Sequence, residues 1–146
     1  MIMARFHFAT EWCLDAPIGR VWDVLAAGED FPRWWPGFER AQRDGDDVRY
    51  RVRSPFGMKL ELVQHTEARH APSHLRIRAG GDLVGTGMLR LFVAGRGTRV
   101  SFVWDLEPGR PWLRALSRLP GIKRLFQLGH DRVMEKGRRR LEKLLA

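Results

Sequence analysis

The sequence predicts an α+β fold in which a curved antiparallel sheet of six to seven strands wraps around a long C-terminal helix. Three observations indicate this. Apolar residues recur at every second position in a first strand and again from Phe38 to about Leu106, as in half-buried strands. After Pro111 they recur at every third or fourth position, as in an amphipathic helix. The length of 146 residues fits one domain, residues 1–146, which buries enough surface to fold without disulfides or metals.

The N-terminal segment is predicted to form a strand followed by two short helices. The strand covers residues 3–14, and its buried face contains Phe6, Phe8, Thr10 and Trp12. Asp15 is a candidate N-cap for the first helix, and Pro17 suits the first turn of that helix. The first helix is expected to end at residues 28–30, where Asp30 caps the second short turn.

The middle of the chain is predicted to form an antiparallel meander of about six strands. Glycine, proline, aspartate and serine punctuate it at hairpin spacing. These breaks fall at residues 44–47, 54–57, 71–73, 80–81 and 95–97. The expected pairing places Arg51 opposite Glu61 and Glu67 opposite Arg76. Such ladders of opposite charge give most of the arginines a structural role.

The C-terminal segment is predicted to be a helix of some 25 residues that Gly121 bends or interrupts. One side of the helix carries an apolar stripe, which must lie on the sheet because the opposite side is charged. The stripe contains Phe126, His130, Met134, Gly137, Leu141 and Leu144/Leu145.

Charge and composition exclude several classes of protein. The formal charge is +9, but 22 of the 26 basic residues are arginines spread along the whole chain, so a basic solvated surface is favoured and nucleic acid is not expected as a partner. A single cysteine, Cys13, excludes an internal disulfide. With no apolar run of roughly 18 residues and no signal peptide, a cytoplasmic location is predicted. The histidines show no metal-ligand spacing, so neither metal nor cofactor is expected.

The order of these elements, together with five segments, carries a resemblance to a known superfamily. The segments are 16–25 (APIGRVWDVL), 31–36 (FPRWWP), 85–87 (GTG), 97–104 (GTRVSFVW) and 130–137 (HDRVMEKG). They resemble the START-like, or Bet v 1-like (SRPBCC), helix-grip superfamily, and within it the bacterial polyketide cyclase/dehydrase group. Relatives often have asparagine before the matching histidine, where this chain has Gly129, so a role that depends on an amide side chain is not carried over.

A ligand cavity is expected between the sheet and the long helix, because the curvatures of a sheet and a helix do not match. The residues predicted to line it are Trp12, Trp35, Tyr50, Leu62, Gln64, Ile77, Leu89, Phe102, Trp104, Phe126, His130 and Met134. Among these, His130 and Tyr50 are candidate catalytic groups. For the aromatic residues the competing interpretation is ordinary core filling, and for His130 it is a histidine satisfied inside the core. Arg33 either guards the mouth of the cavity or is a solvated loop residue.

The resemblance implies a protein that binds a small hydrophobic molecule, whether aromatic, polyketide-like or lipidic. If it is an enzyme, a polyketide cyclase or dehydratase is implied. One alternative is a lipid or quinone carrier that touches anionic membrane through the basic face around Lys136, Arg138, Arg139, Arg140 and Lys143. A weaker alternative is a START-like protein associated with ribosomes or RNA. No feature of the residues indicates an oligomeric state.

Overall fold

Seven antiparallel strands form one sheet in the computed structural model, which describes residues 5–54 and 56–146. The strands are β1 (Phe6–Leu14), β2 (Phe38–Asp44), β3 (Asp47–Arg53), β4 (Lys59–His70), β5 (His74–Gly81), β6 (Leu83–Ala94) and β7 (Gly97–Pro108). The helices are α1 (Ile18–Leu25), a 3₁₀ helix (Gly28–Arg33), α2 (Pro111–Leu116) and α3 (Ile122–Leu145). The predicted fold class is confirmed; residues 3 and 4 of the predicted first strand lie outside the described residues.

The order of strands in the sheet is β1-β7-β6-β5-β4-β3-β2. Strands that follow each other in sequence are therefore neighbours, except that β1 pairs with β7 and adds an edge to the meander. Because the strands alternate in direction, the β3–β4 turn, the β5–β6 turn and the end of β7 all lie at one end of the sheet. The β2–β3, β4–β5 and β6–β7 turns lie at the other end.

Two irregularities in the strand pairing change the side on which residues lie. One lies between Phe38 and Arg40 in β2, and the other lies between Thr66 and Ala68 in β4. The bulge in β4 places Ala68, not Glu67, opposite Arg76, so the predicted pairing of Glu67 with Arg76 is wrong. The predicted pair of Arg51 and Glu61 is confirmed, with 2.5 Å between Nε and Oε1.

Three sequence-based details of the helices and turns are wrong. The N-cap of α1 is Pro17, not Asp15: its extended backbone lets its carbonyl accept the amides of Arg20 and Val21. Asp30 lies inside the 3₁₀ helix and does not cap it. Gly80 and Gly81 belong to β5, and the connection from β5 to β6 is the single residue Asp82. The Asp82 carboxylate accepts a hydrogen bond of 2.7 Å from the amide of Glu61 and so fixes this short turn.

The helix prediction is confirmed in its length and its interruption. Gly121 takes a left-handed conformation, with φ of 79°, and separates α2 from the 24 residues of α3. Met134, Gly137, Leu141 and Leu145 are buried under α3, as the stripe predicts. Leu144 is 49% exposed, so of the pair at the end of the stripe only Leu145 packs inward.

The buried residues form two clusters of different size. The larger cluster packs α1, the 3₁₀ helix and the C-terminal half of α3 against the sheet, with Trp12 and Leu141 at its centre. The smaller cluster contains Phe6, Phe8, Ala79 and Leu106, with Phe126 packed beside it. Phe126 and His130 in the N-terminal half of α3 contact β1, and a cavity remains between this half of the helix and the rest of the sheet.

Candidate ligand-binding site

A cavity of about 730 Å³ lies between the inner face of the sheet and the helices. Its walls are inward side chains of all seven strands, the end of α1, the 3₁₀ helix, α2 and the N-terminal half of α3. Sites for small molecules commonly have volumes of about 300–1,000 Å³ and mostly apolar walls with a few placed polar groups. The cavity agrees with that description in both its size and its lining.

The structure brings together eleven of the twelve predicted site residues. These are Trp35, Tyr50, Leu62, Gln64, Ile77, Leu89, Phe102, Trp104, Phe126, His130 and Met134, all of which line the cavity. Trp12 does not line it. The indole of Trp12 is 1% exposed and packs against Trp35 and Phe102, with ring centroids 5.3 and 4.6 Å away. Trp12 therefore belongs to the closed core, as the core-filling interpretation has it.

His130 projects from α3 into the cavity wall and stacks on Phe8. The ring centroids are 4.1 Å apart and the planes differ by 11°. Nδ1 is buried and has no hydrogen-bond partner among the described residues; the closest carboxylate oxygen, on Asp131, is 3.8 Å away. Burial lowers the pKa of His130, against the opposing effect of Asp131. The imidazole is therefore neutral near pH 7 and has one nitrogen without a partner.

Tyr50 presents its phenol to the cavity from β3, between Phe31 and Phe38. The centroids of those rings lie 5.9 and 5.3 Å from the Tyr50 centroid. The hydroxyl lies against Gly28, where a Cβ atom would collide with it, so glycine at 28 is a steric requirement. Burial raises the pKa of Tyr50, which keeps the phenol protonated at neutral pH.

Two arginines line the cavity that sequence reasoning missed, Arg43 on β2 and Arg69 on β4. Arg43 lies opposite Val48, and Arg69 lies opposite Leu75. Residues directly opposite each other in a ladder share one face of the sheet. Each bulge shifts the alternation by one position and so turns an arginine toward the face of these apolar residues. Nothing in the sequence marks the bulges. Both arginines lie among other charged residues, where the alternation of apolar and polar residues is too weak to show a shift of one position.

Arg43 is held by a carboxylate outside the cavity wall. Its Nη2 lies 2.6 Å and its Nε 3.0 Å from Oε2 of Glu29 in the 3₁₀ helix. The hydrogen bond from Arg43 lowers the pKa of Glu29, and the charge of Arg69 acts in the same direction. Tyr50, Gln64, Arg43 and Arg69 thus form a polar flank on β2, β3 and β4, whereas His130 lies on α3. The Gln64 amide makes no hydrogen bond to any residue that the structure describes.

Another group of lining residues that the sequence did not predict includes the exposed side chains of Phe56 and Trp112, and we call this side of the cavity its open end. They come from the β3–β4 turn, from α2 and from the first turns of α3, and they include Phe56, Met58, Trp112, Leu116, Ile122 and Leu125. Arg33 is not among them: its side chain is 83% exposed and lies 3.8 Å from Asp30, which agrees with the solvated-loop interpretation. Within residues 5–54 and 56–146 no group of three or more His, Cys, Asp or Glu is placed to hold a metal ion. Of the helices described, none has the length and apolar character needed to cross a bilayer.

Comparisons with known proteins agree with this geometry. Residues 5–145 match the family described as "Polyketide cyclase / dehydrase and lipid transport". No curated protein sequence is similar enough to this chain to count as a match.

Solved structures share the fold at low sequence identity. The Zhui aromatase/cyclase from Streptomyces sp. R1128 is 16% identical, with a TM-score of 0.76 over 97% of this chain and 94% of that one. A START superfamily protein from Mycobacterium smegmatis is 14% identical, with a TM-score of 0.71 over 95% and 96% of the two chains. A protein from Thermus thermophilus is 18% identical, with a TM-score of 0.73 over 98% and 100%. Because the family match spans nearly the whole chain and these neighbours share its helix-grip architecture, this chain belongs to the polyketide cyclase/dehydrase and lipid transport family of the START-like superfamily.

Proposed function

We propose that this protein binds a small, largely apolar molecule with at least one polar group, of aromatic, polyketide-like or lipidic character, in the cavity between the sheet and α3. The observation that carries the proposal is the lining of the cavity: apolar walls that contain polar atoms without a partner. A buried polar group without a hydrogen bond costs about 1–3 kcal/mol. A ligand oxygen beside the buried Nδ1 of His130 offsets that cost, and the Gln64 amide and the Tyr50 hydroxyl offer further hydrogen-bonding groups in the same lining.

The polar flank favours a ligand with an oxygen-bearing end. Tyr50 is protonated and so can donate a hydrogen bond to a ligand, and Arg69 adds positive charge to the same wall. A carbonyl, phenol or carboxylate is therefore accepted on this side. The rings of Trp35, Phe102 and Trp104 offer flat apolar surface to the rest of the molecule.

A cyclase or dehydratase activity is the second candidate, and the state of His130 supports it. A neutral imidazole in the cavity wall accepts a proton, and the protonated Tyr50 phenol polarises a carbonyl. The cavity would hold a flexible chain in a folded, reactive shape, which lowers the entropic part of the barrier. Turnover of a polyketide-like substrate that survives in Tyr50→Phe and His130→Leu would exclude this assignment of roles.

The binding proposal is tested by filling the cavity. Leu62→Trp places a larger side chain in the lining, whereas Val93→Trp adds the same ring at a position that is 69% exposed on β6. We expect 8-anilinonaphthalene-1-sulfonate, a fluorescent apolar anion, to bind the parent and Val93→Trp alike and Leu62→Trp at least about tenfold more weakly, which corresponds to roughly 1.4 kcal/mol.

Native mass spectrometry of the freshly purified protein is the complementary measurement. We expect a bound hydrophobic molecule on the parent and little of it on Leu62→Trp. Equal dye binding in all three proteins, with no bound molecule on the parent, would contradict the proposal. His130→Leu is expected to keep the fold and weaken binding; a large loss of thermal stability at unchanged affinity would instead make His130 a core residue.

A further inference from the structure

Large apolar side chains are exposed around the open end of the cavity. Phe56 in the β3–β4 turn is 46% exposed, Trp112 on α2 is 48% exposed, and Leu119 between α2 and α3 is 54% exposed. We call these three residues the mouth rim. Phe56 and Trp112 also line the cavity, so their rings face both the interior and the solvent.

The fold, and not the sequence order, brings the mouth rim together. The β3–β4 turn and the end of β7, from which α2 follows, lie at the same end of the sheet. Single exposed apolar residues are common on protein surfaces. Phe56 and Trp112 come from different segments yet line the same cavity, and Leu119 follows α2. Exposed apolar residues grouped in this way mark sites of interaction.

The segment that carries Trp112 and Leu119 has charges of one sign. Residues 108–130 contain Arg110, Arg114, Arg118, Lys123 and Arg124 and no Asp or Glu. Arg114, Lys123 and Arg124 are exposed. Arg110 pairs with Asp82 in the β5–β6 turn, with 3.2 Å between Nε and Oδ1. Exposed cations therefore alternate with tryptophan, leucine and isoleucine in one segment.

We propose that the mouth rim docks on the surface of an anionic lipid bilayer, with Phe56, Trp112 and Leu119 inserted between head groups and the neighbouring arginines and lysine on the lipid phosphates. Tryptophan concentrates at membrane interfaces because its ring is large and apolar and its N–H is polar. Basic residues close to the surface add electrostatic attraction to anionic lipid. Nucleic acid would match the cations but leaves three large apolar side chains unexplained.

Docking in this orientation turns the open end of the cavity toward the lipid. An apolar molecule would then pass between the bilayer and the cavity without crossing water. This consequence rests on the proposed ligand binding, whereas the docking itself is a separate property with its own test.

The basic face near the end of α3 fits a membrane less well than the mouth rim does. Arg138 lies 2.5 Å from a carboxylate oxygen of Glu135 and 2.5 Å from one of Glu142. Arg139 also pairs with Glu135, at 3.3 Å. The acidic partners offset much of the charge on this face, and its exposed cations are not interleaved with aromatic residues.

Co-sedimentation with vesicles tests the proposal in the full chain. The vesicles consist of phosphatidylcholine alone or with about a third phosphatidylglycerol. We expect the parent to bind the anionic vesicles and to bind phosphatidylcholine weakly. Leu119→Asp and the double variant Arg114→Glu/Lys123→Glu should each bind the anionic vesicles about tenfold more weakly or worse. These three residues lie outside the cavity lining, so dye binding in solution should not change.

Two matched variants control for the change of charge. Val93→Asp places the same carboxylate on an exposed apolar position at the opposite end of the sheet, and Lys136→Glu/Arg140→Glu reverses two exposed charges on α3. Both should bind vesicles like the parent. Absence of parent binding to anionic vesicles, or equal losses in the control variants, would overturn the proposal. RNA binding that the rim variants abolish, without vesicle binding, would overturn it too. Failure of the parent protein to bind the dye would count against the cavity proposal and not against docking.

Discussion

The indole ring of Trp35 occupies the space that a side chain at Gly137 would need. A Cβ atom at position 137 would collide with the indole nitrogen and its neighbouring carbons. The same nitrogen donates a hydrogen bond of 2.8 Å to the backbone carbonyl of Val133, one turn earlier in α3. Trp35 therefore sets how closely α3 approaches the segment after the 3₁₀ helix, and the height of α3 above the sheet determines the size of the cavity.

Gly137→Ala should destabilise the protein by about 1–3 kcal/mol, because the new methyl group overpacks the contact with Trp35. In a helix interior without tertiary contacts, alanine is more favourable than glycine by up to about 1 kcal/mol, so a measured loss of stability reports the contact with Trp35. Urea unfolding followed by circular dichroism gives the free energy of unfolding. Gly19→Ala in α1 is the control: nothing lies within 4 Å of its Cβ position, and we expect no loss. Gly137→Phe should cost more than Gly137→Ala. Melting of either variant at the parent's temperature would show that this register of α3 is wrong.

Gly28 and Tyr50 should be energetically coupled through the hydroxyl group. Gly28→Ala forces the Tyr50 Oη atom to move, and we expect a loss of about 1–3 kcal/mol in the free energy of unfolding. In a Tyr50→Phe background the colliding atom is absent, so the same alanine should cost less. A double-mutant cycle measures the difference, with an expected interaction energy of roughly 0.5–3 kcal/mol. Additive effects of the two substitutions would place the Tyr50 ring elsewhere.

His130 should make stability depend on pH on the acidic side of neutrality. Burial lowers the pKa of the folded imidazole, whereas in the unfolded chain it protonates near its ordinary value of 6.5. As pH falls below that value, the unfolded state binds the proton first, so the free energy of unfolding falls until the folded-state pKa is passed. Above about pH 7 the imidazole is neutral in both states, so protonation of His130 causes no loss of stability there. Unfolding measured at pH 7.5 and pH 5 should show a smaller decrease in His130→Leu than in the parent. Identical decreases would show that His130 is exposed to solvent.

Thr98 should be required for the junction between β1 and α1. Its side chain is 1% exposed, and Oγ1 donates a hydrogen bond of 2.7 Å to the carbonyl of Ala16. Thr98→Val keeps the shape but leaves that carbonyl without its partner, so we expect a loss of about 1–3 kcal/mol in the free energy of unfolding. The same substitution at Thr86, an exposed residue of β6, should change stability by less than about 0.5 kcal/mol. An unchanged melting temperature for Thr98→Val would argue against the hydrogen bond.

Periodicity in the sequence was sufficient to determine the order of the elements and the inner face of most strands. The alternation through Val48, Tyr50 and Leu62 and the stripe through His130 and Met134 depend only on the geometry of strand and helix, so these residues were placed correctly before any contact was known. Arg51 and Glu61 were paired correctly for the same reason, because the turn that joins their strands is short.

Features that depend on packing between distant segments were decided only by the tertiary structure. The bulges in β2 and β4 turned Arg43 and Arg69 toward the cavity, although the alternation in sequence contains no mark of either one. Trp12 shares a strand face with cavity residues, yet Trp35 and Phe102 close around it, since the distance between helix and sheet varies along the strand. The mouth rim likewise joins residues far apart in the chain. Local periodicity specifies which way a side chain points, whereas the curvature of the sheet and the position of α3 decide what that side chain meets.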